Sequence, residues 1–114
     1  RACHEFTLTL QPQKKASGVT ALDFSKALLD HDIHSPTNYF PLLVPECMLI
    51  EPTETESKQT LDHFVEVMAE LLQQSLDDPQ ALKQAPLTTR VRRLDELKAA
   101  KLQDFSWSAS ASAA

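Results

Sequence analysis

The chain has 114 residues, of which 42% are hydrophobic and 24% charged, and it carries a formal net charge of -5 at pH 7. This length suits one domain built around one hydrophobic core. The acidic balance argues against a nucleic-acid surface, because binding a phosphate backbone depends on clustered Lys and Arg. No apolar run approaches the roughly 18 residues that a membrane span requires.

The cysteines and histidines do not form a metal motif. Cys3 and Cys47 lie far apart and neither belongs to a CxxC pair, while the four histidines fall at no spacing that places two on one helical face. We therefore expect no metal site, reduced thiols and a cytoplasmic setting. Because the sequence opens on Arg1 rather than Met and strand-like residues follow at once, we also expect a fragment of a longer chain.

The first predicted element is a strand over residues 3–10. Phe6, Leu8 and Leu10 alternate there with polar residues. Alternation of this kind is typical of a strand with one buried face.

A helix is predicted over residues 20–31. The preceding stretch 11–18, QPQKKASG, is polar and carries the single glycine of the chain, so we predict a loop there. Thr20 followed by Asp23 is a typical helix start. The expected packing residues of this helix are Leu22, Phe24, Leu28 and Leu29.

Residues 34–46, HSPTNYFPLLVPE, contain three prolines. Proline interrupts helices and is disfavoured in central strands, so we predict an extended, shaped loop with a short strand at most. The apolar run at 47–51, CMLIE, has strand length and is bounded by Pro45 and Pro52. We read it as a buried strand.

An amphipathic helix starting near Ser57 is the clearest helical pattern in the sequence. Its apolar residues recur at steps of three and four: Leu61, Phe64, Val65, Met68, Leu71, Leu72 and Leu76. The DDP motif predicts a short helix over about 79–85, and a looser basic helix is expected within 90–101. The low-complexity tail 107–114 is expected to be disordered. This order of elements indicates an α+β two-layer sandwich, with a small, mostly antiparallel sheet and helices on one face.

The stretch MLIEPTETES, residues 48–57, allows two interpretations. Glu51, Thr53 and Glu54 could form a ligand-facing polar turn, since a helix start collects free amide donors and partial positive charge. Alternatively, the acids only neutralise the helix start, and Thr55 or Ser57 caps it. Spacing alone favours the second interpretation.

Other candidate groups lie outside this stretch. His34 lies beside Thr37 in the proline-rich loop, where rigid side chains can face a cleft, although surface histidines without a function are common. Lys14 could serve as a Schiff-base lysine only if a pocket desolvated it, which a polar loop does not provide reliably. Arginines near the chain end could clamp an anion or form a solvated or subunit-contacting face. These are Arg90, Arg92 and Arg93.

Several stretches, in this order, resemble one known family: HEF, KK, GVTALDFSKALLD, HSPTNYFPLLVPE and EPTETESKQTLD. They are similar to the C-terminal part of the glycine-cleavage P-protein, glycine dehydrogenase (decarboxylating). APLTTRVRRLDELKAAK and Trp107 further resemble the end of subunit 2 in the bacterial two-subunit form. The resemblance runs from Cys3 to about Trp107.

The resemblance implies a pyridoxal-phosphate enzyme of the aspartate-aminotransferase-like fold (fold type I). Residues 1–106 would be its C-terminal small domain and 107–114 a tail. The family decarboxylates glycine and passes the aminomethyl group to the lipoyl arm of the H-protein. Its cofactor lysine lies upstream in a large domain that also binds most of the pyridoxal 5'-phosphate, so this chain alone would be inactive. A partner subunit and a bacterial cytoplasmic location are implied as well.

By the same resemblance, the chain supplies part of the active-site wall. His34 and Thr37 would make polar contacts near the substrate or cofactor. Glu51, Thr53 and Glu54 would order a turn that faces the large domain. Two alternatives stay open: a module for subunit assembly or H-protein docking, and a domain of another aminotransferase-like enzyme.

Overall fold

The computed structural model describes residues 2–102 and 106, and the predicted tail 107–114 lies outside them. Three strands and five helices occur within the described residues. In chain order they are β1 (Phe6–Thr9), α1 (Gln11–Ser17), α2 (Ala21–Leu29), β2 (Thr37–Asn38), β3 (Cys47–Ile50), α3 (Lys58–Asp77), α4 (Pro79–Gln84) and α5 (Glu96–Lys101). The predicted α+β class is confirmed. None of the described helices is long and apolar enough to cross a membrane.

The sheet is antiparallel, in the order β1-β3-β2, so that the last strand in sequence lies at its centre. Phe6 pairs with Ile50 on one side of β3, and Thr37 pairs with Leu49 on the other. β3 is mostly buried, as its apolar run predicts for a central strand. β2 has only two residues, which agrees with the prediction of an extended loop with a short strand at most.

The prediction of a loop over 11–18 is wrong, because this stretch forms α1. Pro12 lies in the first helical turn, where its missing N–H would have no intrahelical partner anyway. Gly18 ends the helix with a left-handed φ of 74°, and its N–H donates to the carbonyl of Lys14 at 2.9 Å. Proline and glycine therefore bracket a short helix here instead of excluding one.

The helix start predicted at Thr20 is confirmed by a full capping box at α2. The Asp23 N–H donates to the Thr20 hydroxyl at 3.2 Å, and the Thr20 N–H donates to the Asp23 carboxylate at 2.8 Å. The helix ends at Leu29, two residues before the predicted end. Phe24 and Leu28 are fully buried.

The long helix α3 begins after Ser57, whose hydroxyl accepts the Thr60 N–H at 3.1 Å, as the amphipathic pattern predicts. Its buried face, which includes Met68 and Leu71, belongs to one core together with buried residues of α2, β3 and α4. Two residues expected on that face, Val65 and Leu76, are instead 64% and 60% exposed. They lie at the margins of the apolar stripe, which is wider than the surface that the other elements cover.

The other two helical predictions fare differently. The helix predicted at 79–85 is α4, and the Asp78 side chain caps it by accepting the Ala81 N–H. The basic helix expected within 90–101 forms only in its last part, as α5.

Two carboxylates on α2 and at its end attach the segment after α4. Asp30 accepts the backbone N–H groups of Leu87 and Thr88, each at 2.8 Å, and the Thr88 hydroxyl at 2.7 Å. The Arg93 guanidinium donates to Asp23 at 2.8 Å. Arg93 therefore holds this segment against α2 within the domain itself.

The Asp30 contact makes stability depend on pH. Burial by itself would raise the pKa of Asp30, but the hydrogen bonds from Thr88 and Leu87 outweigh it, and the pKa lies below its ordinary value. A folded-state pKa below the unfolded one contributes stability above the unfolded pKa of about 4. This contribution is lost as pH falls through the folded pKa.

We predict that Asp30→Asn lowers the free energy of unfolding by roughly 1 kcal/mol at pH 7, because the amide cannot accept all of these bonds as a carboxylate does. The variant should also lose less stability than the unsubstituted chain between pH 5 and about pH 2. Urea unfolding at both pH values measures this. Asp32→Asn is the matched control, since Asp32 is exposed at a left-handed φ of 59° that Asn tolerates. Equal losses in the two variants would contradict the assignment.

Candidate functional site

A cleft of about 570 Å³ lies at one end of the sheet, bordered by the start of α3. We call it the sheet-end cleft. Four of the five site residues predicted from the sequence line it: His34, Thr37, Glu51 and Thr53. The fifth, Glu54, is exposed on the turn before α3 and is not among the lining residues. The roles assigned to all five stay predictions.

Antiparallel pairing explains why residues distant in sequence meet in this cleft. The start of β1 lies beside the end of β3, because Phe6 pairs with Ile50. The start of β2 lies on the other side, because Thr37 pairs with Leu49. Glu5, one residue before β1, therefore reaches the same cleft as Glu51, one residue after β3.

The turn between β3 and α3 is ordered by its own hydroxyl and backbone groups. The hydroxyls of Thr53 and Thr55 lie 2.9 Å apart, and the Glu56 N–H donates to the Thr53 carbonyl at 3.1 Å. Ser57, not Thr55, caps the helix, and the first helical turn contains no acid. The acids therefore precede the helix, which leaves Glu51 and Glu56 on the wall of the cleft.

The sheet-end cleft is acidic. Glu5, Asp32, Glu51 and Glu56 line it, and no Lys or Arg occurs among its lining residues in the described part of the chain. Phosphate and carboxylate groups are recognised through Arg, Lys or free backbone amides. A wall of carboxylates instead attracts a cationic group.

Sequence reasoning missed part of this acidic wall. Glu5 and Asp32 are far from MLIEPTETES in sequence, and no local motif connects them to it. Glu5 could have been found only from the strand register that pairs Phe6 with Ile50. Asp32 adopts a left-handed φ of 59° in the turn after α2, which Asp tolerates better than most residues. That turn directs the chain toward His34.

His34 and Thr37 are both exposed and lie on the segment that connects α2 to β2 and continues into it. β2 is held to the helical layer by Ser25, whose hydroxyl donates to the Asn38 side chain at 2.8 Å.

Among the described residues, no group of three or more His, Cys, Asp or Glu side chains could hold a metal ion. The exposed His34 and Thr37 side chains and the carboxylates that line the cleft offer hydrogen bonds and negative charge.

Lys14 lies away from the cleft and pairs with a buried carboxylate. Its ammonium group lies 2.5 Å from Glu46, whose other oxygen accepts the Ala21 N–H at 2.8 Å. The hydrogen bond to Glu46 and the negative charge of Glu46 raise the pKa of Lys14. A Schiff-base lysine needs the opposite shift, so Lys14 is a structural residue in this domain.

Sequence comparisons identify similar proteins. The family described as "Glycine dehydrogenase, C-terminal domain" matches residues 1–91. The "Probable glycine dehydrogenase (decarboxylating) subunit 2" proteins of Methylococcus capsulatus and Coxiella burnetii are each 59% identical over 107 residues, or 94% of this chain. That of Nitrosospira multiformis is 57% identical over 109 residues, or 96% of this chain. In each case the chain spans 22% of the relative's length.

We predict that Lys14 reacts more slowly than its neighbour Lys15 with an amine-acylating reagent at pH 9, because its raised pKa leaves less free amine. Competitive labelling followed by peptide mass spectrometry measures both rates in one sample. In Glu46→Gln the two rates should converge, since the negative charge is lost. Equal rates in the unsubstituted chain would show that the Glu46 contact does not protect Lys14.

Proposed function

Since this chain belongs to the glycine dehydrogenase C-terminal domain family, we propose that it supplies part of the active-site wall of a pyridoxal-phosphate-dependent glycine dehydrogenase (decarboxylating). The enzyme decarboxylates glycine and passes the aminomethyl group to the lipoyl arm of the H-protein. Identity of 59% over 94% of the chain to proteins of that name supports this assignment. The subunit 2 in their names supports a second, partner subunit.

Residues 1–106 are proposed to form the small C-terminal domain of the longer polypeptide, followed by the tail 107–114. The matched relatives extend well beyond this domain, because the chain spans 22% of their length. The remaining part is proposed to hold most of the catalytic machinery, so the domain by itself is proposed to be inactive. A bacterial cytoplasmic location is proposed on the same assignment.

Pyridoxal phosphate, when bound, supplies the electron sink for decarboxylation. The residues of the sheet-end cleft do not fit an anchor for this cofactor. The cleft contains no lysine for covalent attachment and no arginine for the phosphate among its described lining residues, and its acids would repel the phosphate. Anchoring therefore belongs to the part of the enzyme outside this chain.

The contribution of this domain is proposed to come from the cleft wall. His34 and Thr37 are exposed there and can hydrogen-bond to a group held by the remainder of the enzyme. Glu51 and Thr53, with Glu54 on the same turn, shape the surface that faces that remainder. The surrounding carboxylates favour a cationic group, such as the ammonium of glycine, over an anionic one.

A second candidate function is assembly: the domain would hold subunits together or dock the H-protein. One observation favours it, namely that large apolar side chains of the loop after β2 are exposed, with Leu43 94% accessible. The two functions predict different results when cleft residues are substituted. An assembly module would tolerate changes at His34 and Thr37 without any loss of rate.

We predict that His34→Asn or Thr37→Val in the complete enzyme, assayed with its partner subunit and H-protein, lowers kcat/KM for glycine by roughly tenfold to a hundredfold. This is the range expected when a polar contact to reacting groups is lost. Glycine decarboxylation kinetics over a range of glycine concentrations measure the effect.

The matched controls are His63→Asn and Thr7→Val. His63 is exposed on α3 outside the cleft. Thr7 is exposed on β1 and pairs with Leu49 from one side of β3, while Thr37 pairs with Leu49 from the other side. Both controls should keep the unsubstituted kcat/KM. If the His34 and Thr37 variants also keep it, the cleft is not part of the active site and the assembly function is favoured.

A further inference from the structure

The loop that follows β2 exposes four large apolar side chains in five residues. Tyr39 and Phe40 are 41% and 59% exposed, and Leu42 and Leu43 are 86% and 94% exposed. Single exposed leucines are common, but contiguous apolar patches of this kind mark interaction sites. We call this group the 39–43 patch.

The backbone beneath the 39–43 patch is held in a defined shape. The Tyr39 N–H donates to the Cys47 carbonyl at 2.9 Å, and the Val44 N–H donates to the Pro41 carbonyl at 3.1 Å. The buried Cys47 thiol donates to the Phe40 carbonyl at 3.2 Å. A preorganised apolar surface loses little conformational entropy on binding, which favours a docking role.

The chemistry of the patch limits its occupant. Residues 36–45, PTNYFPLLVP, contain no charged side chain, although 24% of the chain is charged. An uncharged apolar surface fits an apolar recess of a protein rather than a phosphate backbone or an anionic lipid surface. Burial of Leu42 and Leu43 in such a recess would remove their apolar surface from water, which is energetically favourable. This domain by itself leaves that surface exposed.

The length of the matched relatives indicates where that recess lies. This chain spans 22% of a subunit 2 protein, so almost four-fifths of such a polypeptide lies outside it. A covalently joined segment that can reach the patch meets it at a high effective concentration, which favours it over a second copy or a separate subunit. The patch is also continuous with the sheet-end cleft, because Thr37 lines the cleft and begins the strand that leads to Tyr39.

We propose that the 39–43 patch docks into an apolar recess in the preceding part of the same subunit-2-type polypeptide. This contact holds the sheet-end cleft against that part and sets the spacing between them. The inference rests on the proposed function in one respect, namely that this domain is joined to a longer polypeptide. It does not depend on whether His34 or Thr37 contacts substrate.

Photo-crosslinking in the complete polypeptide tests this contact. The probe p-benzoylphenylalanine replaces Leu43, and in a parallel control it replaces Val65, which is exposed on α3. Samples are irradiated with and without the partner subunit, and crosslinked peptides are mapped by mass spectrometry. We expect the Leu43 probe to crosslink within one polypeptide to a segment preceding this domain, in both samples, and the Val65 probe not to reach that segment.

Three outcomes would overturn the proposal. The Leu43 probe could crosslink only to the partner subunit, or it could join two copies of the same polypeptide. It could also form no crosslink to protein at all. The first two would assign the patch to the other occupants, and the third would show that it faces solvent.

Hydrogen exchange provides a second measurement. Leu42→Lys combined with Leu43→Lys should make amide exchange across residues 39–44 of the complete polypeptide at least about tenfold faster, since undocking exposes the loop. Neither leucine packs inside this domain, so the domain keeps its fold. Val65→Lys should leave that exchange unchanged. Unchanged exchange in the double variant would reject docking.

The crosslink and the glycine kinetics separate the two proposals. A mapped intramolecular crosslink with unchanged kinetics in His34→Asn would support docking and reject the cleft as an active-site wall. Lost activity in His34→Asn with a solvent-facing Leu43 would support the cleft and reject docking.

Discussion

The buried carboxylate of Glu46 is the contact on which the arrangement of this domain depends. Its side chain is 6% exposed and lies 2.5 Å from the Lys14 ammonium, and it also accepts the first helical N–H of α2, that of Ala21. Its backbone carbonyl accepts the N–H of Leu10 at 2.9 Å. A buried carboxylate is tolerated only when it is paired and hydrogen-bonded. One residue thus joins α1, the start of α2 and the start of β3, the central strand that ends beside Glu51.

The two functional surfaces of the domain occupy consecutive parts of one connection. Residues 32–37, between α2 and the start of β2, border the acidic cleft, and the loop after β2 exposes the 39–43 patch. The proline-rich sequence makes this possible, since proline prevents the segment from joining a helix or extending the sheet. The polar surface is suited to contacts with a small charged group and the apolar one to a protein recess. Because the two surfaces are continuous, docking of the 39–43 patch would also position the sheet-end cleft.

Much of the fold could be predicted because local chemistry decides it. The Thr20–Asp23 capping box, the Ser57 cap and the apolar run of β3 each produce the predicted element. The prediction of a loop at 11–18 was wrong because it treated Pro12 and Gly18 as helix breakers. They instead occupy the first turn and the C-cap of α1. The prediction that Val65 and Leu76 are buried was wrong for another reason. Their spacing suits a buried face, but no described element covers them.

The sequence by itself determined the family resemblance, the order of most elements and four of the lining residues of the cleft, His34, Thr37, Glu51 and Thr53. The order of elements follows from patterns within about ten residues of chain, where capping, period and proline content act. The four cleft residues were instead assigned through the family resemblance, which extends over most of the chain. Only the tertiary structure decided that Glu5 and Asp32 join them and that Glu54 does not line the cleft. For Glu5 the reason is strand register, because pairing of Phe6 with Ile50 brings it beside the end of β3. For Asp32 it is the left-handed turn after α2, and no local pattern records either arrangement.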